Sequence, residues 1–258
     1  MSWLKSHIGL IGRAGLLLSD VLARLPQERR RFRMGLAQLA EVGFASQIVV
    51  MVTGAFTGAV LAAQAFDKFS EIGLASATGP VVAIAMCREL GPVLAALMVA
   101  GRVGAAMAAE LGTMRVTEQI DALRALGIDP VGYLVVPRFV AALIAMPILV
   151  GEAMFCGIFA ADVLATKLLG VPEVWFRSQL WAHLGPGDVM VGLCKGLIFG
   201  GLIALISCQQ GLESEDGAVG VGKATTRAVV YASLAIMVSN FFLTLFLNRL
   251  FPMVEVGL

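Results

Sequence analysis

Residues 79–138 read GPVVAIAMCRELGPVLAALMVAGRVGAAMAAELGTMRVTEQIDALRALGIDPVGYLVVPR, and this stretch decides the fold. Its first half is too apolar for a water-exposed surface, yet Arg88 and Glu89 stand side by side within it, with Gly91 and Pro92 just beyond. An adjacent opposite pair beside a helix break points to function inside a membrane. Pro92 has no amide hydrogen and its ring crowds the carbonyl of Arg88, four residues back, so the helix is expected to open there and leave that carbonyl in want of a polar partner. Adjacent residues diverge by about 100° on a helix, so at least one of Arg88 and Glu89 is available to something other than its neighbour. In the second half, charges arrive every few residues from Arg115 to Arg124, while Val116, Ile120 and Leu123 keep an apolar stripe at i, i+4, i+7. That pattern predicts a short amphipathic helix at a surface over 115–127.

Composition agrees with the membrane reading. Of 258 residues 59% are hydrophobic and only 14% charged, and several apolar runs exceed the ~20 residues that cross a bilayer. The expected class is an all-α integral membrane protein with five transmembrane helices, at 42–66, 79–111, 139–169, 188–209 and 228–247. The formal net charge of +1 gives no reason to expect nucleic acid as a partner. Cys87, Cys156, Cys194 and Cys208 all fall in apolar runs without close pairing, which argues for small apolar filler rather than disulfides or a metal site.

Working outward, residues 1–33 predict an amphipathic helix lying at the membrane interface: Lys5, Arg13, Asp20 and Arg24 share one side, and Ile8, Ile11, Leu18 and Val21 gather opposite. Arg13 interrupts the apolar run, so a signal peptide is not expected. Arg29, Arg30, Arg31 and Arg33 then mark a cytoplasmic margin. Gly54/Gly58 and Gly196/Gly200 have GxxxG spacing and offer close-approach faces, for a second copy or for a neighbouring span. Pro147 is expected to kink the third span, and Glu152 and Asp162 are unusual acids there. With the N-terminus inside, thirteen of nineteen Lys and Arg lie on the cytoplasmic side. The positive-inside rule therefore predicts a cytoplasmic N-terminus and an outer C-terminus, and favours one kinked crossing over a re-entrant hairpin at Gly91-Pro92.

Catalytic signals are lacking. His7 and His183 are far apart in sequence, no paired-histidine metal site is expected, and no nucleophile stands in a recognisable setting. Residues 217–223, GAVGVGK, match the outline of a phosphate-binding loop, but Ala224 stands where Ser or Thr is required and no apolar strand precedes it. A flexible cytoplasmic loop is the expectation there. The charges buried mid-span cost ~2.5–3.5 kcal/mol each on insertion scales, so Arg88, Glu89 and Lys195 must face protein or water. Three readings stay open: an internal ion pair holding helices together, a polar patch lining a cavity for a ligand with an anionic head and apolar tails, or snorkelling toward an interface. The chain as a whole is open to two classes as well, a permease driven by a separate ATPase or a self-sufficient secondary transporter or channel. No internal repeat points to the latter.

RELGPVLAALMVAGRVGAAMAAELGTMRVTEQIDALRALGIDP, continuing into VPR, resembles the signature core of the MlaE-type permeases, the membrane subunits of ABC transporters of the lipid-asymmetry-maintenance and Mce type. GKATTRAVV over 222–230 resembles the family's entry to its last span, and GRAGLL over 12–17 its N-terminal interfacial helix. The resemblance implies phospholipid movement between inner and outer membranes by a permease homodimer in a bacterial inner membrane. It also implies cytoplasmic ABC ATPase subunits, which bind the ATP and Mg, periplasmic Mce-domain lipid-binding subunits, and a small cytoplasmic accessory subunit. It places Arg88, Glu89 and Lys195 by the central lipid cavity. It makes the loop helix, with Arg115, Glu118, Gln119, Asp121 and Arg124, the element that couples to the ATPase. Glu152 departs from the pattern and receives no role from it.

Overall fold

A computed structural model describes residues 2–24 and 32–252, with side chains left out at 2–11, 32–37 and 76. Arg29, Arg30 and Arg31 lie outside the described residues, as do the side chains of Lys5, Ile8, Ile11 and Arg33. Among the described residues every regular element is helical. Five helices are long and apolar enough to cross a membrane: Gln38–Glu71 (span 1), Thr78–Val116 (span 2), Val131–Leu168 (span 3), Pro186–Leu212 (span 4) and Gly217–Leu250 (span 5).

Most of these helices outrun the stretches predicted from hydropathy. Apolarity marks the window that needs lipid, whereas helical hydrogen bonding continues through charged residues with good helix propensity, such as Glu110 and Arg115 in span 2 or Lys223 and Arg227 in span 5. Residues 217–223 correct the sequence reading: they are the opening turns of span 5, not a flexible loop. Asp216 and Gly217, at φ 61° and 64°, make the left-handed turn from which that helix starts. The predicted helix over 115–127 is also divided. Arg115 belongs to the end of span 2, Glu118 turns the chain at φ 60°, and a separate short helix runs over Gln119–Ala125. Residues 173–183, between the third and fourth predicted spans, form a helix, Glu173–His183, that buries Phe176 and Leu180 and exposes Val174, Trp175 and Trp181. It is too short and too polar for hydropathy to signal.

The chain divides into two compact units, and spans 2 to 5 each contribute one half to each of them. Unit 1 comprises Met1–Ala45, Val99–Ala145 and Phe199–Ile236. Here the N-terminal helix, Ser2–Arg24, buries Val21 and is held by two ion pairs, Arg13 with Glu213 at 2.7 Å and Arg24 with Asp129 at 2.5 Å. Arg138 pairs with Glu110 at 2.8 Å.

Unit 2 comprises Ser46–Met98, Met146–Ile198 and Met237–Leu258. Its span 1 lies so close to span 3 that a Cβ at Gly54 would stand 2.6 Å from the carbonyl oxygen of Ala153, and one at Gly58 would meet the backbone of Gly157 closer still. Gly196 packs likewise on Pro147 and Val150. These glycines are therefore used inside the chain, and neither pair is open to a second copy. Ala62, Val82, Met86 and Ala161 form one buried cluster here, and Ala83, Ala165, Val171, Phe176 and Leu180 another. The most hydropathic windows of spans 1 and 5 are only 22% and 11% buried, against 50–67% in the other three, so these two helices carry the surfaces that meet lipid or another chain.

Candidate functional site

Local chemistry of span 2 sets the site. The missing amide of Pro92 and the widened π-helical turn at Met86–Leu90 leave the Arg88 carbonyl without its usual helical donor. Lys195 of span 4 supplies one: its Nζ donates to Arg88 O at 2.6 Å. The same ammonium donates to Thr244 Oγ1 at 2.9 Å and pairs with Glu89 Oε1 at 2.9 Å. An ammonium has three protons, so all three are taken within the chain.

Arg88 points elsewhere, as the divergence of adjacent helical residues requires. Its Nε donates to Asp188 Oδ1 at 2.5 Å, its Nη1 to Asn248 Oδ1 at 2.8 Å, and its Nη2 to the carbonyl of Phe251 at 3.0 Å. Asp188 sits in the first turn of span 4, where the helix dipole favours an acid. Its Oδ2 accepts the Gly185 amide at 2.8 Å. Glu89 completes the layer, accepting at Oε2 from Asn240 Nδ2 at 3.0 Å and at Oε1 from Thr244, 2.9 Å away. Two cations and two carboxylates thus balance inside an apolar frame.

Exposure separates the members. The side chains of Arg88 and Lys195 are 4% and 0% exposed, while that of Glu89 is 38% exposed. Of the three residues singled out from sequence, Glu89 alone presents substantial accessible surface. An open recess of about 330 Å³ begins one residue further on, lined by Phe56, Thr57, Val60, Leu61, Gln64 and Leu90. What the arrangement can do is hold a polar boundary rigidly and offer one carboxylate, with apolar walls beside it.

Four partners escaped the sequence reading: Asp188, Asn240, Thr244 and Asn248. The last three stand at i, i+4, i+8 in the mostly apolar second half of span 5, and that polar stripe was the signal available. Asp188 was hidden as the first residue of a predicted span. Glu152, the other acid of interest, accepts from Gln47 Nε2 at 3.0 Å through Oε1, and its Oε2 is buried with no donor from the chain.

The second group of sequence candidates is gathered around the short helix Gln119–Ala125. Ile120 is buried beneath it, and Glu118, Gln119, Asp121 and Arg124 are exposed. Asp121 is held between Arg115 Nη1, at 2.9 Å, and Arg124 Nη1, at 2.8 Å. Gln119 donates to Thr117 Oγ1 at 3.0 Å. Leu126, 74% exposed, stands at the end of this helix, and Gly127 follows at φ 72°. Among the described residues no His, Cys, Asp and Glu cluster is placed to hold a metal ion.

The chain as a whole is similar to known proteins. Residues 35–246 match the family described as Permease MlaE. A probable ABC transporter permease protein of Rickettsia felis is 47% identical over 207 residues, 80% of this chain and 80% of the relative. A probable ABC transporter permease protein of Synechocystis is 43% identical over 237 residues, 90% of this chain and 88% of the relative. The intermembrane phospholipid transport system permease protein MlaE of Haemophilus influenzae is 33% identical over 239 residues, 91% of this chain and 90% of the relative.

Proposed function

Because the chain belongs to the MlaE permease family, we propose that it is the permease subunit of an ABC transporter that moves phospholipid between inner and outer membranes. It works as a homodimer enclosing a lipid cavity and is driven by a separate cytoplasmic ATPase, with periplasmic Mce-domain subunits receiving or delivering lipid. The observation that carries the reading is the self-neutralised polar layer of Arg88, Asp188, Lys195 and Glu89, from which Glu89 reaches accessible surface while its neighbour Leu90 lines a mostly apolar recess. A cavity for a two-tailed lipid needs apolar walls and a polar boundary that does not collapse when it empties.

In this reading the three residues divide their work. Arg88 and Lys195 hold the opened turn of span 2 against spans 4 and 5, because each of their side-chain nitrogens is bonded within the chain. Glu89 faces the head group, and its carboxylate suits the ammonium or hydroxyl donors that head groups carry. The short helix after span 2 engages the ATPase through its exposed edge, Glu118, Gln119 and Asp121, with Arg115 and Arg124 fixing the position of Asp121.

Glu89→Gln tests the assignment. The substitution preserves volume but replaces one acceptor oxygen with a donor nitrogen and removes the charge that balances Lys195. Expected is a complex of lowered melting temperature, because the buried Lys195 loses its counter-charge, whose folded fraction retains its ATPase and moves phospholipid between vesicles severalfold more slowly. Wild-type lipid transfer in that variant would sink the role of Glu89. Lipid or ion flux by the chain alone, with no ATPase present, would sink the permease reading itself.

A further inference from the structure

Unit 2 carries a second built feature, separate from the polar layer. A groove of about 460 Å³ runs along span 3 against the start of span 4 and the Glu173–His183 helix. Its side on span 3 extends from Gly151 through Met154, Phe155 and Phe159 to Asp162, eleven residue steps, or about 16 Å of helix. Spread over that length and widened by the radius of the atoms that fill it, 460 Å³ is a channel roughly 8–9 Å from wall to wall. An aliphatic chain, whose carbons pack about 3.5–4.0 Å from their neighbours, fits such a width. A partner's helix, about 10–12 Å across with its side chains, does not.

The walls are apolar, and Phe155 and Phe159, stacked at 6.2 Å between ring centroids, are 70% and 59% exposed at the mouth. Polar groups occur at one end only. There Arg177 donates from Nη2 and Nε to the same oxygen of Asp162, Oδ2, at 2.9 and 3.3 Å, and pairs through Nη1 with Glu173 at 2.7 Å. Lys167 pairs with Glu173 as well, at 3.1 Å. That hydrogen bond, together with the charge of Arg177, holds the Glu173 carboxyl below the usual carboxylate range. The end therefore has two cations matched by two carboxylates, no net charge, and one unmet acceptor: Asp162 Oδ1 is buried with no donor from the chain. Trp181, 73% exposed and one turn beyond Arg177, is a residue type that sits at head-group level in membranes.

We propose that this groove holds one acyl chain of an aminophospholipid from the surrounding bilayer, its ammonium donating to Asp162 Oδ1 and its phosphate lying against Arg177. A neutral end with an unfilled acceptor favours a zwitterionic head that brings its own donor over a purely anionic one. The site is independent of the transport reading, because a lipid resident here is needed neither to load nor to empty the recess beside Glu89.

The experiment reads lipid occupancy rather than transport. The full chain, with whatever subunits accompany it, is equilibrated in vesicles of equal phosphatidylethanolamine and phosphatidylglycerol, extracted, and weighed by native mass spectrometry. A Cβ at Gly151 would meet only Leu193 Cδ2, at 3.9 Å, so Gly151→Leu fills the groove without displacing backbone, and Leu193→Phe fills it from the opposite wall. Expected is the loss of one phosphatidylethanolamine per chain in either filling variant that keeps the wild-type melting temperature. Asp162→Asn should retain the lipid while its preference for phosphatidylethanolamine over phosphatidylglycerol disappears. Equal lipid counts in wild type and a folded filling variant, or an unchanged head-group ratio in Asp162→Asn, would overturn the proposal. So would a photocrosslinker at Phe159 that captures a protein segment in place of lipid.

Discussion

Asp188→Ala is the most informative perturbation of the polar layer. Asp188 and Arg88 have side chains only 2% and 4% exposed, and the remaining partners of the guanidinium, Asn248 and the Phe251 carbonyl, are neutral. Removing the acid leaves a buried charge uncompensated, which costs about 3–5 kcal/mol. At roughly 2–4 °C per kcal/mol for a chain of this size, the melting temperature should fall by roughly 6–20 °C. Thr244→Val removes a neutral hydroxyl that bonds Lys195 and Glu89 and should cost less, about 1.5–3 kcal/mol. The sharper control is Arg88→Met combined with Asp188→Leu, because replacing both members of a buried pair with apolar residues of similar size is often neutral. The assay is thermal unfolding of the purified complex, with phospholipid retained per folded complex measured alongside. Framework residues should lower the melting temperature without changing lipid per surviving complex. A fall of less than roughly 2 °C in Asp188→Ala, or a double variant no more stable than that single one, would refute the assignment of Arg88 to the frame.

Other expectations follow from the same structure. Glu118→Lys with Asp121→Lys alters two exposed groups, of which Asp121 has surface ion pairs to Arg115 and Arg124 worth about 0–1 kcal/mol each, so expression should persist while ATP hydrolysis uncouples from lipid movement; unchanged transport would refute the coupling role. Gly58→Ala drives a methyl into the backbone of Gly157 and should sharply reduce folded protein, whereas Gly222→Ala, with nothing within 4 Å, should not; equal yields of the two would show that span 1 and span 3 do not pack as described. Since Gly54, Gly58 and Gly196 are used inside the chain, a homodimer must pair through other surfaces, and cysteines introduced on the exposed face of span 5, such as Val238→Cys, should crosslink in native membranes. Monomers alone, across a scan of spans 1 and 5, would count against the dimer.

Covalent chemistry and composition by themselves determined a good deal of this protein. Five apolar runs require five helices because lipid offers no partner for a backbone amide, and that constraint acts on each run without reference to any other. The opening of span 2 at Arg88 was equally local, since the missing amide of Pro92 and the crowding of its ring act four residues back whatever the surroundings. The divergent directions of Arg88 and Glu89 belong to helix geometry alone. What meets those groups was decided elsewhere. Lys195, 107 residues along the chain, fills the freed carbonyl, and Asp188, 100 residues along, neutralises Arg88. No periodicity within one segment encodes which segment lies opposite, because hydropathy reports a need for burial and not the partner that answers it. The glycines of span 1 show the same division: GxxxG spacing announces a close approach, and only packing against Ala153 and Gly157 says that span 3 is what approaches. The exposure of Glu89 beside the burial of Arg88 and Lys195 lies beyond sequence for the same reason. It is settled by how much of each side chain the neighbouring spans cover, and that is a property of the assembled helices.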